Sequence, residues 1–379
     1  MSSFKLSPDH ERLIREARRV ARSHLVPVAA AGEPHRVNRS LLRALAETGL
    51  LPRLFSRRAG GTHDGQVSAL ELCLLREAVA AESTEAETAL ALQGLGSYPI
   101  LQSGSDELVK KWIPEVAAGE AVAAFALTEQ GAGSDAAALE LRAERRGGDF
   151  VLTGAKKWIS NAPEADFYVV FARTTPRAGA RGMTAFLVPG DLPGLSGRPL
   201  ELVAPHAIGE LDFDGVRVPS DHVLGEVDGG FRVAMRTLDL FRPSVGAFAV
   251  GMAQAALEAA VAHAGRREAF GRKLRDFQAV SHRLADMATR TQAARLMVYA
   301  AAAAYDAGDE HVTSSSAMAK LYATEAAQIV VDAAVQIHGA AALEKGHLLE
   351  HLYREVRAPR IYEGTSEIQR EVIARALYR

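Results

Sequence analysis

Four short segments of the chain carry residue types that chemistry can use. The first, AFALTEQGAGSDA (Ala124 to Ala136), reads as a strand that ends at Thr128 and opens into a loop with Gly131 and Gly133. Glycines there let the main chain approach a ligand closely, and Thr128 and Ser134 offer hydroxyls. The second, KKWISNA (Lys156 to Ala162), alternates an aromatic with a hydroxyl along a strand. Trp158 and Ser160 then share one face, which suits a flat heteroaromatic ligand. The third, RIYEGTSEIQR (Arg360 to Arg370), sets Glu363 ahead of Gly364 and Thr365, just before a helix expected from about Ser366. A carboxylate at that place can act as a base. The fourth, GRREAFGRKLRDFQ (Gly265 to Gln278), is locally basic, and Arg267 and Arg272 can pair with a phosphate. Each segment also has a plainer reading: a tight turn, a core tryptophan, a glutamate favoured by a helix dipole, a solvated basic face. Taken singly, Trp158 and Glu363 favour the plainer one.

Other chemistries are poorly served. His347 and His351 stand four apart with Glu350 adjacent, the spacing of a metal pair, but no third ligand follows. An exposed helix face is expected there, and His338 is expected to pack. The lone cysteine, Cys73, lies in the apolar run LELCLLREA; it excludes a disulfide framework and a cysteine-based zinc site and reads as core. No G-x-S-x-G nucleophile elbow is present.

The elements that position these segments fall into three zones. Residues 1–119 repeat apolar positions at helical spacing, in LIREARRVARSHL, SLLRALAETGLL and SALELCLLREAVA, and end in a helix capped at Ser105. Residues 120–227 change to short β-type runs: VAAFALT, DFVLTG, KWIS, DFYVVFA, MTAFLVP and ELDFDGVRVP. Turn-forming pieces such as RRGGD, TTPRAGARG and GDLPGLSG separate them. Residues 228–379 return to long alanine-rich helices, the last announced by a capping-box spacing of Ser366 and Gln369. The expected fold is α+β: an N-terminal helical domain, a middle antiparallel β domain and a C-terminal helical bundle.

Composition agrees with a globular protein. The chain has 379 residues, 48% hydrophobic and 24% charged, enough for two or three domains and a sizeable core. Its 44 basic and 46 acidic residues give a net charge of −2, which offers no electrostatic case for nucleic acid or an anionic membrane. The N-terminus turns charged at once, without the apolar stretch of a signal peptide. Of the most apolar stretches, Ala247 to Gly265 is interrupted by Glu258 and Leu296 to Tyr305 is too short to span a bilayer. A soluble, cytoplasmic protein without membrane insertion is expected.

In order, spacing and wording, the segments together resemble the acyl-CoA dehydrogenase family of flavoproteins. ALTEQGAGSD, KKWIS, GVRVP, FGRKLRDFQAV, LADMA, AVQIHG and IYEGTSEIQR carry the resemblance, which covers essentially the whole chain. It implies homotetramers built as dimers of dimers, with FAD held between the β domain and the C-terminal helices and reaching into the dimer partner. Thr128 and Ser160 would hydrogen-bond the isoalloxazine ring, Trp158 would cover it, and Leu127, Gly133 and Ser134 would line the same site. Ser134 would also lie near the thioester's CoA arm. From the neighbouring subunit, Arg267 would meet the pyrophosphate while Phe270, Gln278, Gln336 and Gly339 surround the ADP half. Thr365 and Glu367 would touch the cofactor as well.

The same resemblance makes Glu363 the catalytic base. Some members carry the glutamate instead at the position that reads Phe241 here, just before Arg242, and a phenylalanine cannot take a proton. Arg242 and Gly364 are expected beside the substrate. Tyr98 and Phe241 are candidate pocket walls, favouring a short or compact acyl group. The implied reaction is α,β-dehydrogenation of an acyl-CoA thioester to the trans-2-enoyl thioester, with electrons passed to electron transfer flavoprotein.

Two places depart from the family pattern. QIHGAAALEKG has Ala340 where a second glycine is usual and Leu343 where an aromatic is usual. LELVAPHAIGELDF has Pro205 and His206 where a more regular loop is expected. The second departure leaves open a carrier-protein-bound acyl group or dioxygen as acceptor. An inactive flavin-binding homologue is the remaining alternative.

Overall fold

A computed structural model describes residues 5–65 and 67–378. The helices are α1 (Pro8–Val20), α2 (Val26–Ala30), α3 (Arg39–Glu47), α4 (Ala69–Ala80), α5 (Thr84–Ser103), α6 (Asp106–Ala117), α7 (Gly230–Arg266), α8 (Gln278–Asp306), α9 (Val312–His338), α10 (Leu348–Glu355) and α11 (Ser366–Ala376). The strands are β1 (Ala123–Ala126), β2 (Arg142–Arg146), β3 (Asp149–Ser160), β4 (Phe167–Arg173), β5 (Met183–Pro189), β6 (Leu195–Leu200), β7 (Ile208–Pro219) and β8 (Val223–Leu224). A small hairpin, β9 (Glu268–Ala269) and β10 (Arg272–Lys273), follows α7.

The chain forms two compact units. One gathers the N-terminal segment through Ser23, then Ser68–Glu87, then the chain from Asp239 onward. The other holds His24–Val67 and Thr88–Leu238. Residues of the first helical zone thus contribute to both units.

In the first unit α9 packs along α8 and also meets α10 and α11, while α4 packs on α1 and α8. Small residues set how closely these helices approach. A Cβ on Gly251 of α7 would lie 2.6 Å from both the Ala80 Cβ and the Glu77 carbonyl oxygen of α4. Cys73 is fully buried, as expected of a core residue. Two helices, α7 and α9 with its continuation to Leu343, are long and apolar enough by composition to cross a membrane. The apolar stretch of α7 is 67% buried and that of α9 33%, with Val245, Ala249, Val330 and Val331 fully buried.

The second unit is built on one sheet of order β6-β7-β3-β2-β4-β5-β8, with β1 added beside β4. Strands β4 and β5 are buried almost throughout, which is why their sequences read as unbroken apolar runs. Most neighbours are antiparallel, but β1 runs parallel to β4, from Ala123↔Phe167 to Ala126↔Val170. The segments DFVLTG and KWIS belong to one long strand, β3. Strands β2 and β6 carry mostly exposed residues, so the sequence pattern misses both; GDLPGLSG in fact runs into β6. Ser105 caps α6 as expected, accepting from the Leu108 N–H at 3.3 Å.

Candidate active site

Glu363 lies in the turn between the short helix Ala358–Arg360 and α11. It adopts φ 51°, and Gly364 follows at φ 87°. Two consecutive left-handed residues make a sharp reversal that only glycine enters without strain. A Cβ on Gly364 would sit 2.5 Å from the Gln369 Nε2. The carbonyls exposed by this turn are held from two sides. Lys320 of α9 donates from Nζ to the Gly364 oxygen at 2.7 Å; Gln369 of α11 donates to the Gly364 oxygen at 3.0 Å and the Glu363 oxygen at 3.3 Å.

The Glu363 carboxylate is itself uncommitted. Its Oε2 is buried and has no hydrogen-bond partner among the described residues. Burial holds the carboxyl above the ordinary carboxylate range, against the opposing pull of Arg76, Arg242 and Lys320. Those cations are tied down. Arg76 of α4 is buried, pairs with buried Glu87 and donates from Nη1 to the Ser244 Oγ at 2.6 Å. Ser244 donates in turn to the Phe241 carbonyl at 2.6 Å. Arg242 pairs with Asp239 at 3.1 Å, and its buried Nε has no hydrogen-bond partner among the described residues. Phe241, at the alternative base position, is buried and apolar. An enclosed carboxylate with raised proton affinity and an open oxygen is equipped to abstract a proton from carbon.

The second unit brings together the other two segments. The Lys157 N–H donates to the Thr128 carbonyl at 3.0 Å, joining the end of the β1 loop to β3. Lys156, fully buried, donates to the Leu127 carbonyl at 2.9 Å and to Glu129 at 2.8 Å. Glu129 also accepts the N–H groups of Glu140 and Leu141, which closes the loop onto itself. Burial pushes the Lys156 ammonium down to about 8. Trp158 stands at φ 57° beside a register shift between Lys156 and Ile159. This bulge interrupts the simple alternation expected of KKWISNA: Lys156 and Ile159, three apart, are both buried. From Trp158 the alternation resumes, with Trp158 exposed, Ile159 buried and Ser160 half-buried. At 45% exposure Trp158 is no core tryptophan. Leu127 is buried, Thr128 half-buried, and Gly133 and Ser134 exposed; nothing lies within 4 Å of a Cβ built on Gly131 or Gly133. Half-buried hydroxyls, an exposed indole face and open glycines form a donor set that fits the polar edge and flat face of an isoalloxazine.

The residues expected around the ADP half of the cofactor occupy exposed places. Phe270, at the tip of the β9–β10 hairpin, is 96% exposed with φ 50°, and Arg267, Gln278, Gln336 and Gly339 are exposed as well. Tyr98 is half-buried on α5. Ala340 and Leu343 are exposed in a turn that Gly339 enters at φ 67°. Pro205 accepts from the His35 N–H at 3.1 Å.

Two expectations from the sequence need correction. The cap of α11 is Thr365, which accepts from the Ile368 N–H at 3.3 Å. Ser366 instead donates to Glu325 at 2.6 Å, and Gln369 turns to the carbonyls of 363 and 364. His347 and His351 are not an exposed face: His347 caps α10 through its Nδ1, and His351 meets the Thr84 hydroxyl at 2.6 Å. Among the described residues, no group of three or more His, Cys, Asp or Glu side chains is arranged to hold a metal ion. Arg76, Glu87, Lys156 and Lys320 are not among the site residues expected from the sequence, and Gln369 is expected there only as part of a cap. Arg76 and Lys320 carried a signal, each being a charge inside an apolar or small-residue run, LCLLREAVA and SSAMAKLYA.

Models of the acyl-CoA dehydrogenase N-terminal, middle and C-terminal domains match residues 7–120, 124–216 and 228–378. The chain is 39% identical over 380 residues to a probable acyl-CoA dehydrogenase, FadE25, of Mycobacterium tuberculosis, covering 99% of this chain and 97% of the relative. Butyryl-CoA dehydrogenase from Megasphaera elsdenii superposes with a TM-score of 0.93 at 32% identity over 100% of both chains. An FAD complex of PigA superposes with a TM-score of 0.92 at 29% identity over 99% of both chains. The chain therefore belongs to the acyl-CoA dehydrogenase family, FAD-dependent oxidoreductases that act on CH–CH groups.

Proposed function

We propose that this enzyme removes hydrogens from Cα and Cβ of an acyl-CoA thioester to give the trans-2-enoyl thioester, with Glu363 taking the α-proton. The enclosed, unpartnered Oε2 of Glu363 among Arg76, Arg242 and Lys320 is the observation that carries this reading. Bound FAD supplies the acceptor for the β-hydride. Thr128 and Ser160 hold its ring by their hydroxyls while Trp158 covers it and Leu127, Gly133 and Ser134 line the loop. Arg267, Phe270, Gln278, Gln336 and Gly339 serve the ADP half of a cofactor in a neighbouring subunit. All five are exposed and so accessible to such a ligand. Thr365 and Glu367 complete the cofactor contacts.

As the α-proton leaves, negative charge grows on the thioester oxygen and needs a donor. The Glu363 N–H makes no main-chain hydrogen bond among the described residues and serves as one. Ser134, Arg242 and Gly364 border the substrate, and Tyr98 and Phe241 limit it to a short or compact acyl group. The butyryl specificity in the name of the Megasphaera enzyme supports that range. Electrons pass on to electron transfer flavoprotein, and the enzyme works as a cytoplasmic homotetramer, a dimer of dimers. A panel of acyl-CoA thioesters mixed anaerobically with the yellow enzyme tests the proposal through loss of flavin absorbance. Glu363→Gln is expected to retain FAD and lose this bleaching. Reduction at the wild-type rate in that variant removes Glu363 from the role.

A further inference from the structure

We infer that Lys320 is a positioning residue for Glu363: its buried ammonium pins the Gly364 carbonyl and so fixes the left-handed turn that presents the carboxylate. The inference rests on Glu363 being the base. A glutamate at φ 51° is a strained backbone conformation that persists only where its surroundings over-determine it. Helix α9 supplies that constraint at three points of one segment. Glu325 pairs with Arg360 at 2.8 Å, Lys320 holds the Gly364 oxygen at 2.7 Å, and Glu325 accepts the Ser366 hydroxyl at 2.6 Å. From α11, Gln369 reinforces the same carbonyl. Lys320 and Gln369 are both fully buried.

Burying an ammonium against a neutral carbonyl is an expensive way to hold a turn, since any amide would donate as well. What the ammonium adds is charge. The cations acting on the Glu363 carboxylate come from three helices: Arg76 from α4, Arg242 from α7 and Lys320 from α9. Lys320 in turn feels Glu363, Arg242, Glu325 and Glu367, and burial pushes it down to about 8. One side chain therefore sets both where the carboxylate stands and how readily it ionises.

The test uses the FAD-loaded enzyme and whichever of butyryl-, isobutyryl- and octanoyl-CoA reduces the wild type fastest. Lys320→Met is expected to slow flavin reduction at saturating substrate roughly 10- to 100-fold, the scale of a misplaced catalytic group. KM and FAD content should stay near wild type, and the acid limb of the pH–rate profile should move to higher pH. An unchanged rate overturns the inference, as does a loss that merely tracks missing FAD with the limb unmoved. Should Lys320→Met fail to fold, Gln369→Leu removes the uncharged donor to the same carbonyl. There the rate should fall with the limb in place, and an unchanged rate again overturns the inference. Glu363→Gln run alongside separates the two failures. If it reduces its flavin normally, the reading of the base has failed; if it is silent while Lys320→Met is normal, only the positioning role has.

Discussion

Lys156 reaches from β3 to the carbonyl oxygen of Leu127, 2.9 Å away, with its side chain fully buried. That oxygen belongs to the residue before Thr128, so the lysine sets the height of the loop proposed to meet the flavin. Glu129 balances its charge at 2.8 Å.

Lys156→Met should therefore act first on the cofactor. Losing a charge-assisted hydrogen bond and leaving Glu129 without its cation costs about 1.5–3 kcal/mol, locally at the loop. FAD affinity is expected to fall at least about 10-fold. Fluorescence quenching on titrating FAD into the apoprotein measures it, with circular dichroism to check the fold. Unaltered affinity would show that the loop stands without the lysine.

Much of this architecture was legible in the sequence, for identifiable reasons. Helical periodicity located the helices, and unbroken apolar runs located β4 and β5, because burial on both faces leaves no alternation to mislead. The parts that escaped share a cause. Strands β2 and β6 bury little, so their residues look like loop. Of the buried charges, Lys156 looks like a solvated one, and Arg76 and Lys320 show only an apolar or small-residue flank; their partners come with the fold. Trp158 is exposed and Ser160 half-buried, but the bulge and the left-handed tryptophan between Lys156 and Ile159 are not revealed by spacing alone. Glu363 was legible only as one residue of a motif; its left-handed turn and the donors that hold it are visible only in three dimensions.

Arg76 and Glu87 form a buried pair that bears on stability as well as on the site. Arg76→Met strands the Glu87 carboxylate and should cost about 3–5 kcal/mol. The double variant Arg76→Met/Glu87→Leu removes both charges and should recover most of that loss. Melting temperatures of the wild type, the two single variants and the double variant decide it. A double variant no better than Arg76→Met would mean that packing around the arginine, rather than its charge, is what matters.

Helix α7 contains an internal control for close packing. Gly251→Ala gains helix propensity, about 1 kcal/mol, but drives a methyl to 2.6 Å from the Glu77 carbonyl oxygen of α4. Backbone cannot yield as a flexible side chain does, so a net loss of about 1–3 kcal/mol is expected. Gly265, on the same helix, has nothing within 4 Å of its Cβ position, and Gly265→Ala should be neutral or stabilising. Thermal denaturation of the pair tests the claim, and equal shifts would refute it.

The raised proton affinity of Glu363 has consequences for activity and for stability, with opposite signs. A base must be ionised to act, so kcat/KM should rise with pH through a limb above the ordinary carboxylate value of 4.5. Stability should run the other way. Between its ordinary and its raised pKa this carboxyl binds more protons in the folded than in the unfolded state. The difference between unfolded and folded proton uptake is then negative, and its contribution to stability falls as pH rises through that window. Glu363→Gln abolishes the term. The variant is expected to be more stable than the wild type at neutral pH, with the gap closing on acidification below the ordinary carboxylate range. Melting curves of both proteins against pH measure it. A gap that is absent, or that widens toward acid, would mean that the carboxylate is not held under the desolvation that its role as a base requires.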